Sequence, residues 1–153
     1  MFAQLDTKSV YSFMDSVVDL NSYVARAKEL GYQALGLMDR DNLYAAYHFA
    51  QLASRNGLRP LIGMEANLFY EGRKIPFRLL AKNNQGYKNL MKLATELSSG
   101  QREFTAFSDY LNAIALILPS EDWEPGMTLG SEVFIGVRPE DVGKEFDYPV
   151  VPL

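Results

Sequence analysis

Short apolar runs alternate with stretches of helical spacing along this chain, and the alternation predicts strands and helices in turn. Residues 2–5 are an apolar run read as a first strand. Residues 21–30 read as a helix, because Leu20, Val24, Ala27 and Leu30 recur near helical spacing and Gly31 stops it. Residues 34–38 are continuously apolar, the mark of a strand buried on both faces. A second helix is expected to begin near Asp41-Asn42, either of which can cap it. Its stripe is Leu43, Ala46, Tyr47, Ala50 and Ala53, and Gly57 ends it. Residues 60–64, 66–70 and 77–81 read as strands, with Glu71-Gly72-Arg73-Lys74 as a hairpin turn.

A third helix follows Asn83-Asn84, with Tyr87, Leu90, Met91, Ala94 and Leu97 along one face and Gly100 after it. Residues 104–111 read as a short helix and residues 114–118 as a strand. Residues 120–131 carry Pro125, Gly126 and Gly130 and read as a loop, followed by strand candidates at 133–137 and 150–151. This order predicts an α/β fold with parallel strands, either a barrel or an open sheet. No linker-like break divides residues 1–153, so a single domain is expected.

Composition narrows the chemistry. The chain has 153 residues, enough for one core of average domain size. It has no Cys, which excludes disulfides, thiolate zinc sites and a Cys nucleophile. It has one His, which excludes a His-rich metal site. Lys plus Arg number 15 against 19 for Asp plus Glu, a net charge of −4, so no nucleic-acid-binding surface is expected. The N-terminus lacks the basic and apolar regions of a signal peptide, and the longest apolar stretch, 113–119, is far too short to cross a bilayer. A soluble, cytoplasmic protein without membrane contact is expected.

In parallel α/β folds, functional groups gather past the C-terminal ends of strands. Asp6 and Lys8 follow the first strand; Asp39, Arg40 and Asp41 follow the second; Glu65 lies where the third apolar run changes character; Asp15 lies in the loop after the first strand. Carboxylates in that number suit a hard cation such as Mg²⁺ or Mn²⁺. Acids before a helix also serve as N-caps, a role open to Asp39 or Asp41. Lys8 and Arg40 weigh against a metal, since cations neutralise a carboxylate cluster without one.

The only imidazole, His48, lies mid-helix and is read as structural. Ser9, Ser12 and Ser16 have no His partner for a catalytic triad. No Gly-rich phosphate loop is present. Arg78 and Lys82 alternate along a strand and read as a solvent face, while Trp123 and Tyr148 read as plugs at the core edge.

Five blocks carry a family likeness: 6–15, 25–35, Met38-Asp39-Arg40-Asp41-Asn42-Leu43-Tyr44, Pro60-Leu61-Ile62-Gly63-Met64-Glu65, and 79–90 with its Leu79-Leu80-Ala81-Lys82-Asn83-Asn84 run. In order and spacing they resemble the start of the PHP domain of bacterial DNA polymerase III alpha subunits. They cover roughly the first 95 residues. The resemblance implies a distorted parallel (β/α)7 barrel whose active members hold two or three metal ions with His, Asp and Glu and hydrolyse phosphoesters or pyrophosphate.

This chain departs from that pattern at the ligands. Where the family's first motif reads His-x-His-x-His-Ser, this chain has Gln4-Leu5-Asp6-Thr7-Lys8-Ser9. Where the family has Thr-Asp-His, it has Met38-Asp39-Arg40, and where His precedes the Leu-Leu-Ala-Lys-Asn block, it has Pro76. Asp15 and Glu65 match family ligands. The resemblance thus implies a vestigial site at Gln4, Asp6, Lys8, Asp15, Asp39, Arg40, Glu65 and Pro76, with no catalytic residue and no metal. Arg40 or Lys8 is expected to pair with Glu65, Asp6 or Asp15.

The expected role is a non-catalytic scaffold region of a DNA-directed DNA polymerase, packed on the other domains of the alpha subunit. In some relatives the region also docks a proofreading exonuclease, a second candidate partner. The alternative is a metal-dependent phosphoesterase or exonuclease using the remaining carboxylates. No cofactor is expected in these residues: Mg²⁺ belongs to the polymerase centre of the parent enzyme, and residual Mn²⁺, Mg²⁺ or Zn²⁺ binding is disfavoured. The chain also reads as shorter than a whole PHP domain, so an incomplete barrel is expected, with an open sheet edge or a dimer covering it.

Overall fold

The computed structural model describes residues 3–12, 17, 19–130, 132–141 and 143–152. Its elements run β1 (Ala3–Gln4), α1 (Leu20–Glu29), β2 (Ala34–Arg40), α2 (Ala46–Arg55), β3 (Arg59–Tyr70), β4 (Arg73–Ala81), α3 (Asn84–Ser98), a 3-10 stretch at Phe104–Tyr110, β5 (Ile114–Pro119), β6 (Val133–Val137) and β7 (Val150–Pro152). The strands form one sheet in sequence order, curled into a half-barrel. The α/β class and the incomplete barrel agree with expectation. No described helix is long and apolar enough to cross a membrane.

The parallel order expected from the strand and helix alternation is interrupted at β4 by the hairpin expected at 71–74. β1, β2 and β3 are parallel, as are β5, β6 and β7, but β4 is antiparallel to both β3 and β5. The cause is local. Glu71 (φ 50°) and Gly72 (φ 79°) form a two-residue turn, and two consecutive positive φ values suit the twist of a tight hairpin. The runs read separately as 60–64 and 66–70 are one continuous β3 through Glu65. α3 and the 3-10 stretch then return the chain to the end of β4, where Ala81 pairs with Ile114.

Helices cover one face of the sheet. Leu20, Val24 and Ala27 of α1 and Phe49 and Ala53 of α2 pack on Leu35 and Leu37 of β2. Leu90, Leu93 and Leu97 of α3, with Phe104 and Phe107, pack on Met64, Ala66, Leu68, Ile75, Phe77, Leu79, Leu116 and Leu118. Trp123 and Tyr148 pack against the same cluster. Strand alternation sends Met38, Arg40, Glu65, Asn67, Arg78 and Ile117 to the opposite, open face.

Two helices differ from their predicted faces. α2 begins at Ala46 and has no side-chain cap, because the polar residues before it are engaged in the turn. Asn42 donates to the carbonyls of Tyr11 and Arg40 and accepts from the Tyr44 N–H. Phe49 is the buried anchor of α2, and Tyr47 is exposed. In α3, Asn89 and Leu93 are buried whereas Met91 faces outward. Asn89 is satisfied there by donating to the Asn112 carbonyl at 2.8 Å.

The segment after β1 crosses the open face at Gly36. A Cβ on Gly36 would stand 2.6 Å from the Leu5 carbonyl oxygen and 2.8 Å from that of Gln4. This close approach requires glycine, and it carries Asp6 and Lys8 over the sheet. The Tyr23 hydroxyl of α1 fastens the crossing, 2.8 Å from Thr7 Oγ1 and 3.0 Å from the Gly36 carbonyl. Burial pushes the Tyr23 hydroxyl up to about 12. Gly36→Ala is expected to lower stability by about 2 kcal/mol, since backbone must shift to admit one methyl. Urea unfolding measures this, and an unchanged midpoint would contradict the close-approach account.

Candidate functional site

Strand register assembles the site. Arg40 of β2 pairs with Glu65 of β3, and Glu65 pairs with Arg78 of β4. The three therefore form a row across adjacent strands on the open face. Arg40 Nε donates to Glu65 Oε1 at 3.0 Å. Lys8 Nζ stands 3.0 Å from Glu65 Oε2, and Arg78 Nη2 stands 3.9 Å from the same oxygen. Arg78 Nη2 donates to Asp6 Oδ2 at 2.7 Å, and Lys8 Nζ lies 3.8 Å from Asp6 Oδ1. The Glu65 and Arg78 side chains are only 4% and 10% exposed, so the centre of the network is shielded from water, while Arg40 reaches the surface.

Among the described residues, two carboxylates, Asp6 and Glu65, face three cations, Lys8, Arg40 and Arg78. Burial alone would push the Asp6 carboxyl up, but the Arg78 hydrogen bond and charge, with Lys8, hold it below its usual value. Arg78 also keeps two buried donors, Nε and Nη1, without a hydrogen-bond partner among the described residues. Asp6 Oδ1 is likewise buried without a hydrogen bond.

The other candidate positions scatter. Asp39 does not join the network, because its strand position turns it away from Arg40 and Glu65. It accepts from the Ser9 N–H at 2.6 Å, the Ser9 hydroxyl at 2.7 Å and the Ser12 hydroxyl at 2.7 Å, fixing the turn after Lys8. It caps no helix, and neither does Asp41, which accepts from the Asn67 N–H and from Arg102. Gln4 ends β1 beside Leu35. Pro76 lies opposite Asn67, two positions from Arg78 on the same face. Asp15 and Ser16 lie outside the described residues. His48 is exposed on α2.

Arg78 corrects the sequence reading. It is a buried member of the network, whereas only its neighbour in the pattern, Lys82, is exposed, paired with Glu132. The signal was the hairpin: a two-residue Glu71-Gly72 turn puts Glu65 and Arg78 directly opposite. Arg102 was not singled out at all, since nothing in its local sequence marks it.

Among the described residues, the donor set does not fit a metal ion. Both oxygens of Glu65 are taken by cations, Asp39 is taken by hydroxyls, and the one imidazole is elsewhere. No group of three or more His, Asp or Glu placed to hold a metal occurs among the described residues. A divalent ion entering here would meet three positive charges at close range.

Two outcomes test this geometry. Glu65→Gln leaves three cations without their shared carboxylate and is expected to cost about 3 kcal/mol in urea unfolding. A loss near zero would show the network to be incidental. Asp6 binds its proton less tightly folded than unfolded. Its contribution is therefore full above the ordinary carboxylate value, near ~4, and lost as pH falls through the depressed one. Asp6→Asn is expected to flatten the fall of stability in acid; an unchanged slope would contradict the pairing.

Comparison with known proteins agrees with this architecture. The PHP domain family matches residues 4–124. DNA polymerase III subunit alpha of Streptococcus pyogenes serotype M1 is 47% identical over 137 residues, covering 90% of this chain and 13% of that protein. The subunit of the same description from Bacillus subtilis is 33% identical over 126 residues, covering 78% of this chain and 11% of that protein. The chain thus spans 13% or less of the length of these relatives. A crystal structure of a candidate metal-dependent phosphoesterase from Bifidobacterium adolescentis shares the fold, with a TM-score of 0.51 at 16% identity, covering 61% of this chain and 32% of that one. The half-barrel and the match over residues 4–124 together place this chain in the PHP domain family.

Proposed function

We propose that this chain is the PHP region of a replicative DNA polymerase III alpha subunit, acting as a non-catalytic, metal-free scaffold. The observation that carries the reading is the Glu65 carboxylate, held by Lys8 and Arg40 at 3.0 Å each. Active PHP proteins use carboxylates and imidazoles to hold metal. Here the carboxylates are met by cations from two strands, Arg40 of β2 and Arg78 of β4, and by Lys8 of the crossing segment. The cations perform a structural version of the metal's task, joining β1, β2, β3 and β4 through shared acids.

The identity to polymerase alpha subunits supports the parent assignment. Nucleotidyl transfer, and the Mg²⁺ it uses, then belong to the rest of such a subunit. The scaffold's partners are the subunit's other domains, with a proofreading exonuclease as a further candidate. This role needs no direct contact with DNA and places the protein in the cytoplasm.

Phosphatase and nuclease assays with Mn²⁺ or Zn²⁺ test the reading. No metal-dependent hydrolysis is expected, and Glu65→Gln should leave the background unchanged. Hydrolysis that requires metal and disappears in a folded Glu65→Gln protein would overturn the scaffold role in favour of a phosphoesterase or exonuclease.

A further inference from the structure

β5 and β6 are parallel neighbours, a pairing usually joined by a helix that covers the sheet. Here the connection holds only a 3-10 turn at Ser120–Asp122 among the described residues. On the helix-covered side of the sheet, a cavity of about 810 Å³ remains between the stretch Phe104–Tyr110 and the loop that leads to β6. Small ligands bind in cavities of roughly 300–1,000 Å³. Ile114 and Leu116 of β5, Val133 of β6 and Leu129 form its apolar part.

Two tyrosines fix the loop wall. The Tyr70 hydroxyl, at the end of β3, accepts from the Thr128 N–H at 3.0 Å. The Tyr148 hydroxyl donates to the Met127 carbonyl at 3.0 Å. The cavity is therefore shaped by the chain's own contacts.

Its charged groups are acids. Glu71, Glu103 and Glu132 line it, and among the described residues no Lys or Arg does. Glu132 is already engaged by Lys82. The Glu71 and Glu103 carboxylates are exposed and make no ion pair or hydrogen bond among the described residues. Both belong to one end of the cavity, since Glu71 follows Tyr70 in the hairpin turn and Glu103 bridges to Phe69. Each stands next to an aromatic residue in the chain, Tyr70 and Phe104. Those two rings meet edge to face, with centroids 5.5 Å apart and planes inclined at 71°.

We propose that this cavity binds an organic cation, an ammonium group carried on an apolar body. Two unpaired carboxylates supply the opposite charge, and aromatic faces attract an alkylammonium as well. The ammonium is placed at Glu71 and Glu103 beside the Tyr70–Phe104 pair, and the body lies along Ile114, Leu116 and Val133. The proposal goes beyond the scaffold role and uses no residue of the Glu65 network, so its failure leaves that role untouched.

Amide NMR titrations of the 153-residue chain with phenylbutylamine, phenylbutanol and phenylbutyrate test it. These compounds share one apolar body and differ in charge. The amine is protonated at neutral pH. It is expected to shift amides around Tyr70, Phe104 and Thr128 and to bind about tenfold more tightly than the alcohol, with the carboxylate weakest. Glu71→Gln combined with Glu103→Gln is expected to remove the amine's advantage while the alcohol binds as before. Both side chains are exposed and unpaired, so the variant should keep the fold, and its amide spectrum checks this. Absence of amine binding, equal affinity for amine and alcohol, or an advantage that survives the double substitution would overturn the proposal.

Discussion

The Glu65 carboxylate is the constraint on which the open face depends. It is buried in the middle of β3, and a lone buried carboxylate is costly. Its cost is offset because each oxygen meets a cation: Arg40 on one side, Lys8 and Arg78 on the other. A buried ion pair contributes little net stability against an apolar replacement, yet removing one partner is severe. The network is therefore better understood as a device for joining segments than as a source of folding energy. It links the N-terminal crossing segment, the parallel half of the sheet and the antiparallel hairpin.

Everything in that device follows from backbone register. Gly36 lets the chain pass over β2, which delivers Asp6 and Lys8. The tight turn at Glu71-Gly72 sets Arg78 opposite Glu65. The parallel pairing of β2 with β3 sets Arg40 on the other side. A metal centre needs lone pairs that converge on one point. Among the described residues, this site instead engages both Glu65 oxygens with cations and leaves two buried donors on Arg78 without a hydrogen-bond partner.

Much of this was legible in the sequence. The apolar runs located the strands, and the replaced imidazoles with added cations at Lys8 and Arg40 marked the site. What was not legible depended on register. Alternation with the exposed Lys82 gave Arg78 the look of a solvent face, and only the two-residue turn at Glu71-Gly72 sets it directly opposite Glu65. The antiparallel direction of β4 was legible, because Glu71-Gly72-Arg73-Lys74 reads as a hairpin turn between the two strands. Asp39 resembled a ligand by position along the chain, but period-two alternation sends it to Ser9 and Ser12. On α2 and α3, Tyr47 and Met91 fitted the helical spacing as well as Phe49 and Leu93. Only the shape of the sheet beneath chose between them.

The melting temperature at neutral pH, measured with and without Mn²⁺ or Zn²⁺, tests the central claim most directly. Any metal that binds the folded chain raises its stability by mass action. If cations already occupy the carboxylates, the melting temperature stays unchanged on adding metal. A metal-dependent rise that disappears in Glu65→Gln would show that the carboxylates still hold a metal, and would contradict the account.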